Sequence, residues 1–298
     1  MMLNTPLPAL NDIEGRKVPS SFPLIVDAHV HIFPEAIFKS IWKWFDEYGW
    51  PIRYKLSTSE VLEFLLSRGV GHIIALQYAH KPGIAYELNR YTAKKCKQFP
   101  QKVTGMATVF PGEEGMEDIL KAAFDSGLKG VKLHAHVQCF DMNSKEMDII
   151  YDLCSSQAKP LIMHVGREPK SPAYACDPYL ICGAEKLERV IKNYPKLKVC
   201  VPHLGTDEFL PYKQLIEKYD NIWLDSAMVL TDYLPNNKPL PLNEMRVDRI
   251  MYGSDFPNIP FAWDRELKWI NAARLPDKSL ELILGKNAMD FFSIQMEN

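Results

Sequence analysis

The 298-residue sequence contains no apolar run approaching the roughly 18 residues that a membrane-spanning helix requires, so no segment reads as a span. Charge of one dominant sign is also missing. The 35 Lys and Arg against 37 Asp and Glu leave a net charge of −2, which argues against a broad nucleic-acid or anionic-membrane surface. Six cysteines form no C-x-x-C pair, and a chain of this length builds a core without disulfide staples, so free thiols in a reducing compartment are expected. No conspicuous repeat and no low-complexity tract is present, which sets aside repeat arrays. The stretch from Met1 to Pro23 has no apolar signal core. It reads as an N-terminal arm over residues 1–21 of a cytoplasmic protein, with residues 22–298 as one domain.

What the chain does have is 47% hydrophobic residues, arranged in an alternation of two periods. Short β-branched runs that end in polar residues recur at Ile25 to His31, His72 to Gln77, Val103 to Val109, Gly130 to His134, Pro160 to His164, Lys198 to His203, Ile222 to Ser226 and Arg249 to Asp255. Between them lie stretches of helical period, such as Ser59 to Ser67, Ser144 to Gln157 and Glu185 to Tyr194, with a final helix expected over Ser279 to Phe292. Strands alternating with helices imply a parallel sheet. Eight such units predict an α/β fold of the (β/α)8 TIM-barrel type. The first connection is longer and aromatic. Phe38, Trp42, Trp44, Phe45, Tyr48, Trp50 and Tyr54 lie within it, Pro34 suits a helix start and Gly49 a helix stop. This helical insertion after strand one either packs on the barrel or caps the open end, with Trp42 as a candidate substrate contact, and it is also a candidate homodimer surface.

The run Val26-Asp27-Ala28-His29-Val30-His31 places three polar side chains on one face of a strand, and two imidazoles at i and i+2 can share a metal ion. Other strand candidates also finish in chemistry-bearing residues: His134, His164, His203 and Asp255. A single His at a strand end is usually structural. Four further coincidences at the end where barrel enzymes gather their catalytic groups point to one site.

In order, Asp27-x-His29-x-His31, Gly-Val-Lys132-Leu-His134, His164, His203 and Gly-Ser-Asp255 resemble the amidohydrolase superfamily. Within it, the set is most similar to the branch holding aminocarboxymuconate-semialdehyde decarboxylase and related decarboxylases and lactonases. The resemblance spans about residues 22 to 292. It implies a divalent metal, usually zinc, held by His29, His31, His164 and Asp255, with one ion favoured over two. Three neutral imidazoles and a carboxylate leave open positions where bound water is acidified. On this reading Asp255 takes a proton as the water attacks a carbonyl carbon, and His203 orients the water or stabilises the oxyanion. Lys132, His203 and His134 are candidates for a second metal or for substrate, whereas His136 lies beyond the strand and is not assigned as a ligand.

Arg167 in the loop after strand five is a candidate carboxylate clamp, equally explained as a surface residue paired with Glu168. Tyr174 and Asn258 are further candidate substrate contacts. The reading that results is a metal-dependent hydrolase of an ester, lactone or amide in a small molecule. A nonoxidative decarboxylase of an aromatic or unsaturated carboxylate is the alternative, favoured only if Arg167 faces the metal. A non-catalytic barrel acting as a binding module is the third reading.

Overall fold

The computed structural model describes residues 11–168, 170–231, 233 and 242–295. The first ten residues of the expected arm, Pro169, and the stretch carrying Pro235, Pro239 and Pro241 lie outside the described residues. Eight parallel strands run in order: β1 (Val26–His31), β2 (His72–Leu76), β3 (Val103–Gly105), β4 (Val131–His134), β5 (Leu161–His164), β6 (Val199–Val201), β7 (Ile222–Asp225) and β8 (Ile250–Met251). Regular ladders join β1 to β3 and β4 to β8. Two sparse seams close the ring. Lys132 N–H donates to Ala107 O at 2.8 Å between β3 and β4, and Ala28 N–H donates to Tyr252 O at 2.9 Å between β8 and β1. Single bridges at Ala107↔Val131 and Val30↔Phe256 accompany them, and the fold is the expected TIM barrel.

The strands are shorter than their apolar runs. Beyond Val201, Pro202 has no N–H to give the ladder, and His203 adopts φ 57°, so β6 stops before its histidine. Beyond Met251, the chain continues extended along β1 until Asp255 turns at φ 59°. Both candidate catalytic residues therefore occupy the left-handed region that side chains with a Cβ rarely visit. Fully buried Val26, Ala28, Ile74, Leu76, Met106, Ile162, Cys200 and Met251 fill the barrel interior, and Phe291 and Phe292 stopper one end.

Helices cover the outside. They include α1 (Glu35–Tyr48), α2 (Thr58–Ser67), α3 (Ala85–Cys96), α4 (Met116–Asp125), the short α5 (Ala135–Gln138), α6 (Lys145–Ser156), α7 (Pro178–Ile181), α8 (Ala184–Asn193), α9 (Phe209–Lys218) and α10 (Arg265–Ala272). Helix α2 opens on a capping box in which Ser57 accepts from Glu60 N–H and Glu60 accepts from Ser57 N–H. The aromatic insertion is α1, framed by Pro34 and Gly49 as its residues dictate. The expected single helix over Ser279 to Phe292 is instead α11 (Asp277–Glu281) and α12 (Asn287–Phe292) with a π-turn at Leu282–Lys286 between them. The interruption has a cause: Ile283 O accepts from Tyr252 N–H of the barrel at 2.8 Å. No helix among the described residues is long and apolar enough to cross a membrane.

Gly130 enters β4 where a Cβ would lie 2.2 Å from Pro160 O, a backbone atom that cannot swing away. Gly130→Ala should therefore lower unfolding stability by about 1–3 kcal/mol, read as a fall in the urea midpoint at unchanged slope.

Candidate metal centre

Strand β1 presents His29 and His31 on one face because side chains two apart share it. Gly253 permits the strand-end stretch of β8 to lie against them, since a Cβ there would sit 2.7 Å from His29 Cβ. Asp255 N–H donates to His29 O at 2.9 Å, which hangs the Asp255 carboxylate over the pair. His29 Nε2 lies 3.3 Å and His31 Nε2 3.1 Å from Asp255 Oδ1, and the two Nε2 atoms are 3.2 Å apart.

The hydrogen bonding behind His29 decides what its Nε2 is. His29 Nδ1 faces Asp225 Oδ2 at 2.9 Å, fully buried, so the ring proton belongs on Nδ1 and Nε2 carries a lone pair. Burial pushes His29 well below its ordinary range, with Lys132 adding to the effect, and burial also lowers His31. Burial alone would raise Asp255, but the hydrogen bond from His31 and the nearby imidazoles outweigh it and hold the carboxyl below its usual range. Two neutral imidazoles and a carboxylate thus converge with fewer protons than the contacts require, which is the donor set a divalent cation satisfies. His29, His31 and Asp255 fit a divalent metal.

Lys132 Nζ lies 3.4 Å from His29 Nε2 and is fully buried. Burial pulls it down to about 8. His203 packs its ring 5.2 Å from that of His29, and its Nδ1–H donates to Ala227 O at 2.8 Å. That bond fixes a proton on Nδ1 and leaves Nε2 facing the site. Asp27 ties the strand ends together: its Oδ1 accepts from His29 N–H at 3.2 Å and Ser254 N–H at 3.0 Å, while burial raises it to about 7.

The ring of His164 lies 4.7 Å from that of His203. Its Nε2 is 2.6 Å from Glu168 Oε1, and its ring stacks on His134 at 4.0 Å. Arg167 is engaged by Glu185 at 2.6 Å and Glu208 at 3.3 Å. Tyr174 lies between the ring of Trp44 on α1, at 5.7 Å, and that of His136, at 5.5 Å, so α1 and the loop after β5 close over the strand ends together. Trp42 stacks on Phe38, Phe38 meets Phe33 edge to face, and Phe33 stacks on His31. Asn258 is buried, with its carbonyl taken by Trp50 Nε1–H at 2.8 Å and its side-chain oxygen unpaired. His72 is structural, held by Gln101 O and Thr104 Oγ1 at 3.0 and 2.9 Å.

One carboxylate, Asp225, escaped the sequence reading, and another, Glu168, was expected to pair with Arg167 but is bonded to His164 instead. Asp225 ends β7 as Asp255 follows β8. Besides gripping the His29 ring, it accepts from the His203 backbone N–H on Oδ1 at 3.1 Å, so one residue holds the His29 imidazole and the His203 main chain. Its place at the end of an apolar strand was the available signal. Glu168 carries no spacing signal, lying four residues past His164 in a loop.

The family model described as Amidohydrolase matches residues 26–294. No curated protein is similar enough in sequence to count as a match. Among solved structures, an uncharacterised TIM-barrel protein, Bb4693 from Bordetella bronchiseptica, superposes with a TM-score of 0.71 at 16% identity, covering 91% of this chain and 99% of its own. 5-Carboxyvanillate decarboxylase from Novosphingobium aromaticivorans, complexed with manganese and a nitrobenzoic acid, gives 0.65 at 17% identity, covering 94% of this chain and 99% of that one. A 2,6-dihydroxybenzoate decarboxylase bound to 2,6-dihydroxybenzoate gives 0.66 at 17%, covering 91% and 100%. At these identities the likeness is one of fold.

Replacing Asp225 by Asn keeps the shape but weakens the grip on His29 Nδ1–H. Equilibrium dialysis should show divalent-metal affinity falling by about 10–100-fold, with the circular dichroism spectrum unchanged. An unaltered affinity would remove Asp225 from the account.

Proposed function

The chain belongs to the amidohydrolase family, and from that premise we propose that it is a zinc-dependent hydrolase of an ester, lactone or amide in a small molecule. The observation that carries hydrolysis over carboxylate cleavage is the commitment of Arg167 to Glu185 and Glu208. A decarboxylase benefits from a cation that grips the departing carboxylate, and this guanidinium already has two carboxylates of its own.

His29, His31 and Asp255 would hold the ion. His164, which the family resemblance gives to the same ion, is bonded to Glu168 in this structure. Bound there, a divalent cation supplies Lewis acidity, lowering the pKa of water and polarising a carbonyl. The protein's own groups then divide the work. Asp255, ionised and within reach of the same position, accepts the proton lost by the attacking water. His203, its Nδ1–H committed to Ala227 O, presents Nε2 to the site, where it orients that water or stabilises the developing oxyanion. Lys132 is the cation placed to balance negative charge as it develops. Asp225 is a positioning residue, since it acts through His29 and His203. The aromatic wall of Phe33, Trp42, Tyr78 and Tyr174 favours a flat, largely apolar substrate and helps exclude water.

The second reading, nonoxidative decarboxylation of an aromatic acid, is favoured by the activities of two proteins of similar fold. It uses the same metal-holding residues, with Lys132 in place of Arg167 at the carboxylate. A screen of lactones, esters, amides and aromatic acids with separate detection of acid release and carbon dioxide distinguishes the two. The expected result is acid release without carbon dioxide. In the same assay Asp255→Asn should reduce turnover at least about a hundredfold with the fold intact, and retained activity would mean the base is misassigned.

Metal removal supplies a further check. Stripping the ion should lower the melting temperature, and restoring it at about a hundredfold over its dissociation constant should recover about 2.7 kcal/mol, measured by calorimetry.

A further inference from the structure

We propose that Cys139 and Cys176 form a thiol–disulfide exchange site at the mouth of the barrel, oxidised by a low-molecular-weight disulfide such as oxidised glutathione, and that the resulting bond clasps the loop after β5 to α5. The chemistry of the two sulfurs stands by itself. Its effect on turnover rests on the hydrolytic reading.

Two irregular segments bring the cysteines together. Cys139 ends α5 at φ 53°, its N–H donating to Ala135 O at 2.7 Å, so the chain turns off the helix at that residue. Cys176 stands just before α7, in the loop that leaves β5. Both thiols donate to one acceptor: His136 O lies 3.8 Å from Cys139 Sγ and 3.5 Å from Cys176 Sγ. A carbonyl has two lone pairs, and here each meets a thiol.

Access sets this pair apart, although all six cysteines are free thiols. Cys139 is exposed and Cys176 half-buried, whereas Cys154, Cys182 and Cys200 are buried, and Cys96 packs against Gly105. Cys182 is the other thiol near Cys176, but burial closes it to an oxidant and pushes it up. Burial, with the Cys139 thiol beside it, pushes Cys176 up to about 12, so it stays protonated while Cys139 meets the oxidant.

The exchange balances in two steps. The Cys139 thiolate attacks one sulfur of the oxidant, forming a mixed disulfide and releasing one small thiol. Cys176 then gives its proton to solvent and attacks the Cys139 sulfur, expelling the second small thiol. Two protein thiols and one disulfide become one protein disulfide and two small thiols, and two electrons pass to the oxidant.

The bond would fasten the part of the mouth that closes over the strand ends. Tyr174, two residues before Cys176, rests between the rings of His136 and Trp44. The segment around it turns on itself, Tyr174 N–H donating to Ser171 O at 3.1 Å and Ala173 N–H to Ser171 Oγ at 3.2 Å. Linking Cys176 to α5 holds Tyr174 over His136 and removes the loop's freedom to open for substrate.

The test incubates the full chain with oxidised glutathione, then denatures it, counts free thiols and maps non-reduced peptides by mass spectrometry. The reduced chain has six thiols, and the count should fall by two, with one peptide pair joining Cys139 to Cys176 and no glutathione retained. Cys176→Ser should instead keep glutathione on Cys139. An unchanged count, an adduct that persists on Cys139 of the wild type, or a link from Cys176 to Cys182 would overturn the site. For the clasp, amide hydrogen exchange over residues 170–177 should slow at least about tenfold on oxidation, and unchanged exchange would overturn it. Turnover of the substrate found in the hydrolysis screen should fall at least about fivefold, return with dithiothreitol, and not respond in Cys139→Ser. Full turnover by the disulfide form would remove the gating role. A chain inactive on every ester, lactone and amide would sink the hydrolytic reading alone, with thiol count and exchange still deciding the site and its clasp.

Discussion

The buried contact between His29 Nδ1 and Asp225 Oδ2, 2.9 Å long, is the constraint on which the site depends. It fixes the ring proton on the outer nitrogen and so turns the inner one into a donor of electrons. The same carboxylate holds His203 through its backbone N–H, so β1, the end of β6 and β7 are aligned by one side chain. Everything the metal centre offers follows from that alignment: two neutral imidazoles from β1, a carboxylate brought over from β8, and His203 Nε2 beside them.

The barrel serves this arrangement by bringing distant segments to one rim. His29 and Asp225 are 196 residues apart in sequence, yet the ring of parallel strands makes them neighbours. The closing seams, β3 to β4 and β8 to β1, are each held by a single ladder bridge. Asp255 and His203 both bend into the left-handed region, a local cost that the packed barrel offsets.

Much of this was legible in the residues. Period-two runs ending in His or Asp announced β1, β4, β5, β6 and β8 and their rim, because burial demands apolar strands and function demands polar ends. Pro34 and Gly49 framed α1 for reasons of backbone geometry alone. Boundaries were less legible: Pro202 shortens β6 by a local effect written in the sequence, whereas the Tyr252 contact to Ile283 that breaks the last helix is a tertiary fact. The carboxylates were least legible. Asp225 and Glu168 act on histidines, and no spacing encodes which carboxylate will reach which ring. Arg167 illustrates the converse, since a guanidinium in the right loop is claimed by Glu185 and Glu208 through folding of the surrounding chain.

Anomalous diffraction at the metal absorption edges, from crystals of protein purified without added metal, tests the central claim most directly. The account predicts a peak about 2.0–2.3 Å from His29 Nε2, His31 Nε2 and an Asp255 carboxylate oxygen. Fully ordered side chains with no anomalous density between them would contradict it.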